Sequence, residues 1–260
     1  MTPLLKRETH DAVLRLTLND ATTRNSLSEA MLAELSSALE LAEKDMRIAA
    51  IIIAAEAPVF CAGHNLKQLH SHRLDADLGA AYFKDLFEKC AGLMLQITQH
   101  RCAIIAEVNG LASAAGCQLV ASCDLAYASS NAKFCTPGVN IGLFCSTPMV
   151  ALSRNVGAKQ AMEMLLTGDI YDADYALRVG LVNAIIEPEH LRSHVQILAQ
   201  KIATKSGSAI SYGKKLFSEQ RDLSLREAYT RSAEVMAENM LQGSACEGIS
   251  AFIEKRKPNW

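Results

Sequence analysis

Val108-Asn109-Gly110-Leu111-Ala112-Ser113-Ala114-Ala115-Gly116-Cys117-Gln118-Leu119 is the stretch on which the reading of this chain turns. The apolar run Ala103 to Val108 enters it as a buried strand, Asn109-Gly110 turns the chain, and small side chains then lead into a helix. Small residues let a ligand come close to the main chain. The first amides of a helix have no intrahelical partner and suit an anionic oxygen. A similar arrangement occurs earlier, where the apolar run Ala49 to Ala55 is followed by a loop from Glu56 to Asn65 and the segment Val59-Phe60-Cys61-Ala62-Gly63-His64-Asn65-Leu66-Lys67 overlaps its end. Either segment alone is also what a tight strand-to-helix turn of any α/β protein looks like.

Outward from these turns the pattern is that of a layered core. Leu14, Leu16 and Leu18 alternate with Arg15 and Thr17, the period of a strand with one buried face. Ser26 followed by Glu29 fits a capping box, and Met31, Leu32, Leu35, Leu39 and Ala42 continue at helical spacing, with Lys44 and Arg47 at the C-terminal end. Residues 70–100 predict a more polar helix with an apolar face from Tyr82, Phe83, Leu86 and Phe87, and Leu125 to Ala128 predicts a third buried strand. Strand and helix in this alternation argue for an α/β core with crossover connections. Beyond about Pro188 the pattern is helical, with stripes at Leu191, Val195, Leu198 and Ile202 and again from Leu225 to Met240. The expected division is a core over residues 1–188 and a helical region over 189–260.

The 260 residues carry 26 basic against 28 acidic side chains, so no strong field of either sign points to nucleic acid or to an anionic membrane. The longest apolar runs are far shorter than the roughly 20 residues of a spanning helix. No targeting segment is visible at the start, which predicts a cytoplasmic protein; a matured mitochondrial matrix form would look the same. The eight cysteines are scattered through apolar runs and read as reduced core thiols. No CxxC pair or HExxH spacing occurs, so no metal site is expected.

Taken in order, these segments resemble the crotonase (enoyl-CoA hydratase/isomerase) superfamily. Members carry F-x-x-G-x-D-L-K, then N-G-x-A-x-G-G-G-C-E-L-A, then C-D and F-x-x-P-E-x-x-x-G. Phe60 to Lys67, Asn109 to Val120, and Cys123-Asp124 with Phe134 to Gly142 are similar to these in turn, and Ala251 to Pro258 is similar to the family's ending. Within the family the chain is most similar to the enoyl-CoA hydratase domain-containing proteins, through Cys117-Gln118 and Thr136-Pro137-Gly138-Val139-Asn140. The resemblance implies a stacked ββα spiral with a C-terminal helical trimerisation region, and homo-oligomers that are trimers or dimers of trimers. It implies an acyl-CoA thioester as the ligand, coenzyme A entering as part of the substrate, and no permanently bound cofactor. The backbone N–H groups that hold the thioester oxygen in this family fall on His64 and Ala115. CoA contacts fall on Arg24, Ala62, Asn65, Leu66 and Lys67, with Lys255 or Lys257 of a neighbouring copy near the nucleotide. The side chain of His64 is expected to face the CoA or solvent rather than to act as an acid or base.

The chain departs from the family at two positions. Where a hydratase has one glutamate to activate water and another to move the α-proton, this chain has Gln118 and Gly138. An amide orients water but exchanges no proton near neutral pH, and glycine brings no side chain. Ordinary hydration is therefore expected to be weak or absent. Three readings stay open: an acyl-CoA lyase or isomerase with a replacement base, a base-independent reaction such as decarboxylation of a malonyl-type thioester, and a catalytically silent acyl-CoA-binding regulatory protein. Tyr82, Asp85, Glu88, Asn140, Cys145 and Ser146 are candidate replacements by position, and Glu107 is expected to be paired structurally.

Overall fold

In the computed structural model, which describes residues 2–260, the apolar runs become the middle of a six-stranded sheet. It contains β1 (Leu5–His10), β2 (Val13–Leu18), β3 (Ala50–Ala55), β5 (Ala103–Val108), β7 (Leu125–Ser129) and β10 (Ala184–Ile186), in that spatial order. Three- and two-residue strands build a second sheet, β4 (Val59–Cys61), β6 (Leu111–Ser113), β8 (Lys133–Cys135) and β9 (Tyr171–Asp172). All neighbours pair in parallel except β1 with β2 and β8 with β9.

The chain alternates between the sheets. β3 leads to β4, β5 to β6 and β7 to β8, and each pair is followed by helix: α2 (Leu66–His72) with α3 (Ala80–Gln99), α4 (Ala115–Ser122), and α5 (Ser146–Leu152) with α6 (Ala158–Thr167). This is the stacked ββα spiral that the resemblance implies. α1 (Glu29–Lys44) joins β2 to β3, and α7 (Ala173–Arg178) joins β9 to β10. The chain closes with α8 (Pro188–Ala203), α9 (Gly207–Glu219), α10 (Leu225–Met240) and α11 (Gly243–Ile253).

The main core lies on one face of the large sheet, where Leu16, Leu18, Ile51, Ile53, Ile104 and Ala106 meet Met31, Leu35 and Leu39 of α1 and Leu93 and Ile97 of α3. On the opposite face Val13, Ile52 and Ile105 are covered by Leu191, Val195 and Ala199 of α8. Burying each such aliphatic side chain contributes about 1.5–3 kcal/mol, so α8 is held by its stripe. β2 is therefore buried on both faces, unlike the half-buried strand its alternation predicts. Arg15 is 1% exposed, and its Nη1 donates to Glu107 Oε1 at 2.9 Å while Nη2 lies 2.9 Å from Oε2. Glu107 is thus spent on an ion pair under α8.

Two local expectations shift. The cap of α1 is Ser28, whose Oγ accepts from Met31 N–H, while Ser26 Oγ bonds Thr23 Oγ1 at 2.8 Å. The helix expected over 70–100 is two, separated by a turn that ends at Gly79, which has φ +84°. α9 is tied to the sheet by Lys214, whose Nζ donates to Asp124 Oδ2 at 2.6 Å and to Cys102 O at 2.7 Å. Burial pushes the Asp124 carboxyl up and the Lys214 ammonium opposes that shift. No helix among the described residues is long and apolar enough to cross a membrane.

Candidate functional site

Parallel pairing of β4 with β6 sets Val59 beside Leu111 and Cys61 beside Ala112, so the loops that leave these strands emerge side by side. The first passes through Ala62, Gly63 and His64 to Asn65, whose Oδ1 caps α2 by accepting from the Lys67 and Gln68 amides. The second turns at Ala114 into α4. Gly63 sits at φ +89°, and a Cβ built on it would lie 3.0 Å from Ser113 O and 3.4 Å from Ala115 N. Gly116 is packed closer still, since a Cβ there would overlap the Cys61 carbonyl oxygen and lie 2.8 Å from Cys61 Cβ. Small residues in both motifs are explained by this approach of two main chains.

Neither the His64 N–H nor the Ala115 N–H meets a protein acceptor among the described residues. Gly63 and Ala115 are buried and Ala114 half-buried, so these donors lie at a shielded junction. Ala114 itself has φ 50° and ψ −115°, a conformation that a side chain disfavours. Such a residue costs about 1–3 kcal/mol and persists only where its surroundings hold it. Here the Ala114 N–H donates to Cys135 O at 2.9 Å, tying the turn to β8.

A third stretch completes the junction. Ala62 N–H donates to Arg24 O at 3.1 Å and Leu27 N–H to Gly63 O at 2.8 Å, so residues 24–27 run alongside the first loop. Asn25 fixes this stretch: it is 2% exposed, and its Nδ2 donates to Val59 O at 2.7 Å and Glu56 O at 3.0 Å while its Oδ1 accepts from Asp20 N–H. Sequence reading missed Asn25 as a positioning residue; Arg24 and Asn25 both have positive φ, a conformation Asn tolerates well, but nothing in the periodicity marks it. The Arg24, Leu66 and Lys67 side chains are exposed at the rim, Ala62 and Asn65 half-buried.

The His64 side chain turns inward, not to solvent. Its Nδ1 lies 3.3 Å from Leu27 O, its ring meets Phe87 of α3 edge-on at 5.3 Å, and its Nε2 is buried with no partner. Burial lowers its pKa from the ordinary histidine value, so the ring is neutral at neutral pH.

Gln118 stands one turn into α4 beyond Ala115, 4% exposed, with Oε1 buried and unpartnered. Gly138 lies in a short 3-10 turn, Pro137–Ile141, and is buried. A Cβ there would come within 2.9 Å of both Cys145 Sγ and Leu143 O, so the Cys145 side chain occupies the room a larger residue at 138 would need. Burial pushes the Cys145 thiol up. Of the other candidate bases, Asp85 pairs with Lys89 at 2.6 Å and Glu88 with Lys84 at 3.8 Å on the exposed face of α3. Asn140 and Ser146 are exposed, and Tyr82 stacks on His72 at 3.5 Å with its hydroxyl buried and unpartnered. Two clefts lie elsewhere, one of about 410 Å³ beside Tyr175 and Arg178 and one of about 240 Å³ beside Glu43 and His100, and neither touches the paired loops.

Residues 8–260 match the model of a family described as enoyl-CoA hydratase/isomerase. The mitochondrial enoyl-CoA hydratase domain-containing protein 3 of Xenopus laevis is 45% identical over 259 residues, spanning 100% of this chain and 86% of that protein. The human protein of the same name is 43% identical over 252 residues, spanning 96% of this chain and 81% of its own. Among solved structures, that of an enoyl-CoA hydratase from Mycobacterium smegmatis superposes with a TM-score of 0.93 at 45% identity, covering 100% of this chain and 99% of that one. The structure of human enoyl-CoA hydratase domain-containing protein 3 gives 0.93 at 42% identity, covering 99% and 100%.

Proposed function

We propose that this chain, which belongs to the enoyl-CoA hydratase/isomerase family, binds an acyl-CoA thioester and polarises its carbonyl between the main-chain N–H groups of His64 and Ala115. The observation that carries the reading is the junction of the two loops, where a Cβ on Gly63 would sit 3.4 Å from Ala115 N and neither donor meets a protein acceptor. Charge develops on a thioester oxygen as an enolate forms, and a preorganised donor in a shielded site stabilises it by about 3 kcal/mol. Main-chain donors do not depend on side-chain identity, which is why His64 and Ala115 serve. Arg24 and Lys67 at the rim suit the phosphates of coenzyme A, with Ala62, Asn65 and Leu66 beside them.

Gln118 and Gly138 stand in place of the two hydratase glutamates. Each general acid or base contributes about 10²- to 10⁴-fold, so hydration by the usual route is slow in this protein. Lyase or isomerase chemistry that needs only a stabilised enolate, such as decarboxylation of a malonyl-type thioester, remains within reach of the donors alone. A second reading, a catalytically silent acyl-CoA-binding regulatory protein, is favoured by one observation: Cys145 Sγ and Leu143 O leave no room at position 138 for a side chain. The assembly proposed is a homo-oligomer, a trimer or a pair of trimers. Its support is the apolar surface of the C-terminal helices, where Leu241, Phe252 and Ile253 are 83%, 85% and 72% exposed.

The experiment is calorimetric titration with crotonyl-CoA, malonyl-CoA and butyryl-CoA, each followed by a turnover assay. Binding of the thioesters with crotonyl-CoA hydration at least ~100-fold below that of a two-glutamate relative is expected. Absence of binding to every thioester would overturn the reading. Hydration at a full hydratase rate would overturn the role given to the missing carboxylates.

A further inference from the structure

Nine buried side-chain N or O atoms make no hydrogen bond among the described residues, although two of them, Arg15 Nη2 and Glu107 Oε2, face each other as an ion pair at 2.9 Å. Three belong to the Arg15–Glu107 pair under α8, and Gln196 Nε2 and Asn239 Oδ1 lie on α8 and α10. The remaining four are His64 Nε2 on the first loop, Gln68 Oε1 on α2, Tyr82 Oη on α3 and Gln118 Oε1 on α4. Orphaned buried polar atoms are rare in folded proteins, and two of these belong to a donor residue itself and to the first turn of the helix that the other donor opens, where a ligand can supply the partners.

We propose that the His64 imidazole is the proton-transfer group of this site, its Nε2 removing the α-proton of a bound acyl-CoA while the N–H of the same residue holds the thioester oxygen. The inference rests on the acyl-CoA reading above and adds the base that Gln118 and Gly138 do not provide.

The ring's state follows from its contacts. Leu27 O can only accept, so the Nδ1 that faces it at 3.3 Å carries the ring proton, and a neutral ring then leaves Nε2 as a bare lone pair. Leu27 is itself fixed, because its N–H donates to Gly63 O at 2.8 Å, within the same pair of neighbouring stretches that presents the His64 donor. Phe87 holds the ring plane from the side of α3, at an interplanar angle of 67°. A base pinned through its second nitrogen by a fixed acceptor is the arrangement in which an imidazole takes up a proton without turning. Burial keeps the ring neutral, and the hydrogen bond to Leu27 O opposes that shift.

The step balances without any co-reactant. The α-C–H bond breaks, an N–H bond forms at Nε2, and the electron pair moves into an enolate whose oxygen is held by the His64 and Ala115 N–H groups. The imidazolium keeps its Nδ1–H on Leu27 O, exchanges its Nε2 proton with solvent, and returns a deuteron in heavy water to the same carbon. The net reaction replaces one α-hydrogen by deuterium.

The test is proton NMR of the α-hydrogens of butyryl-CoA in heavy water, with calorimetric binding in parallel, for the unmodified protein, His64→Asn and His64→Gln. Both variants keep the main-chain donor, and the Asn amide can still donate to Leu27 O. Binding within a few-fold of the unmodified protein, together with exchange slowed at least ~100-fold, is expected for both. The unmodified protein should exchange at a constant rate down to a pH below the ordinary histidine range and then lose exchange as His64 is protonated; this profile requires no substitution. Wild-type exchange rates in either variant, or binding by the unmodified protein without exchange, would overturn the assignment of His64. Failure of the unmodified protein to bind butyryl-CoA would instead overturn the acyl-CoA reading itself.

Discussion

The candidate site has two regions built from different material. At the ends of β4 and β6 the proposed chemistry rests on main chain: two loops brought side by side by strand pairing and by glycines that let one backbone lie on another. At positions 118 and 138 it would have to be offered by side chains, and there the chain has an amide and a hydrogen atom. A region made of main chain tolerates an unusual residue such as His64, provided the backbone path is unchanged. A region made of side chains does not tolerate the loss of a carboxylate. On the proposed reading, the same protein keeps the means of stabilising an enolate while giving up the usual means of moving protons.

The largest effect should come from breaking the main-chain region. A methyl group at 116 would strike the Cys61 carbonyl oxygen and Cys61 Cβ, neither of which can rotate away. Gly116→Ala should cost about 3 kcal/mol, the upper part of the range for overpacking. Chemical denaturation would report that loss, and calorimetry should show butyryl-CoA affinity falling with it because α4 can no longer lie against β4. Unchanged stability and affinity in this variant would mean that the two turns are not held together by this contact.

The side-chain region should respond to repair at one position and not at the other. Gln118 is buried on α4 with its Oε1 unpartnered, so Gln118→Glu changes little in volume and should raise crotonyl-CoA hydration by about 100-fold, the lower end for one general base. Gly138→Glu is not the matching repair, since its Cβ would contact Cys145 Sγ and Leu143 O at 2.9 Å. A Gln118→Glu enzyme as slow as its parent would show that the donors and position 118 do not face a common substrate.

This contrast also explains which parts of the fold and site the sequence makes legible. The buried strands β3, β5 and β7 were legible because four or more consecutive apolar residues have few other uses, and the two turns because small residues crowd there. The second sheet was not, because strands as short as Lys133–Cys135 carry no period. Arg15 and Thr17 look like the wet side of a strand, and only the packing of α8 with Glu107 reveals a dry one. Ser26 and Ser28 both fit a cap, and the choice is made by Thr23, which takes the first hydroxyl. Gln118 and Gly138 could be read from the motif as departures from it, but the crowding at 138 by Cys145 Sγ and Leu143 O could not. His64 could be proposed as a donor from its position in the motif, while the inward turn of its ring depends on Leu27 and Phe87, which come from other parts of the chain.

The smallest expected effect sharpens the comparison from the opposite side, by improving the main-chain region. Ala114 holds φ 50° and ψ −115° at the N-terminus of α4, where its Cβ is crowded by its own backbone. Glycine removes that strain, about 1–3 kcal/mol, and returns part of it by loosening the unfolded chain, about 0.4–1 kcal/mol. Ala114→Gly should therefore stabilise the protein by about 1 kcal/mol in chemical denaturation. Its affinity for butyryl-CoA should stay within a few-fold, since the Ala115 N–H and the bond from residue 114 N–H to Cys135 O are both retained. A destabilised Ala114→Gly would show that the Ala114 Cβ contributes packing worth more than the strain it imposes, and the turn would then belong with the side-chain region of the site.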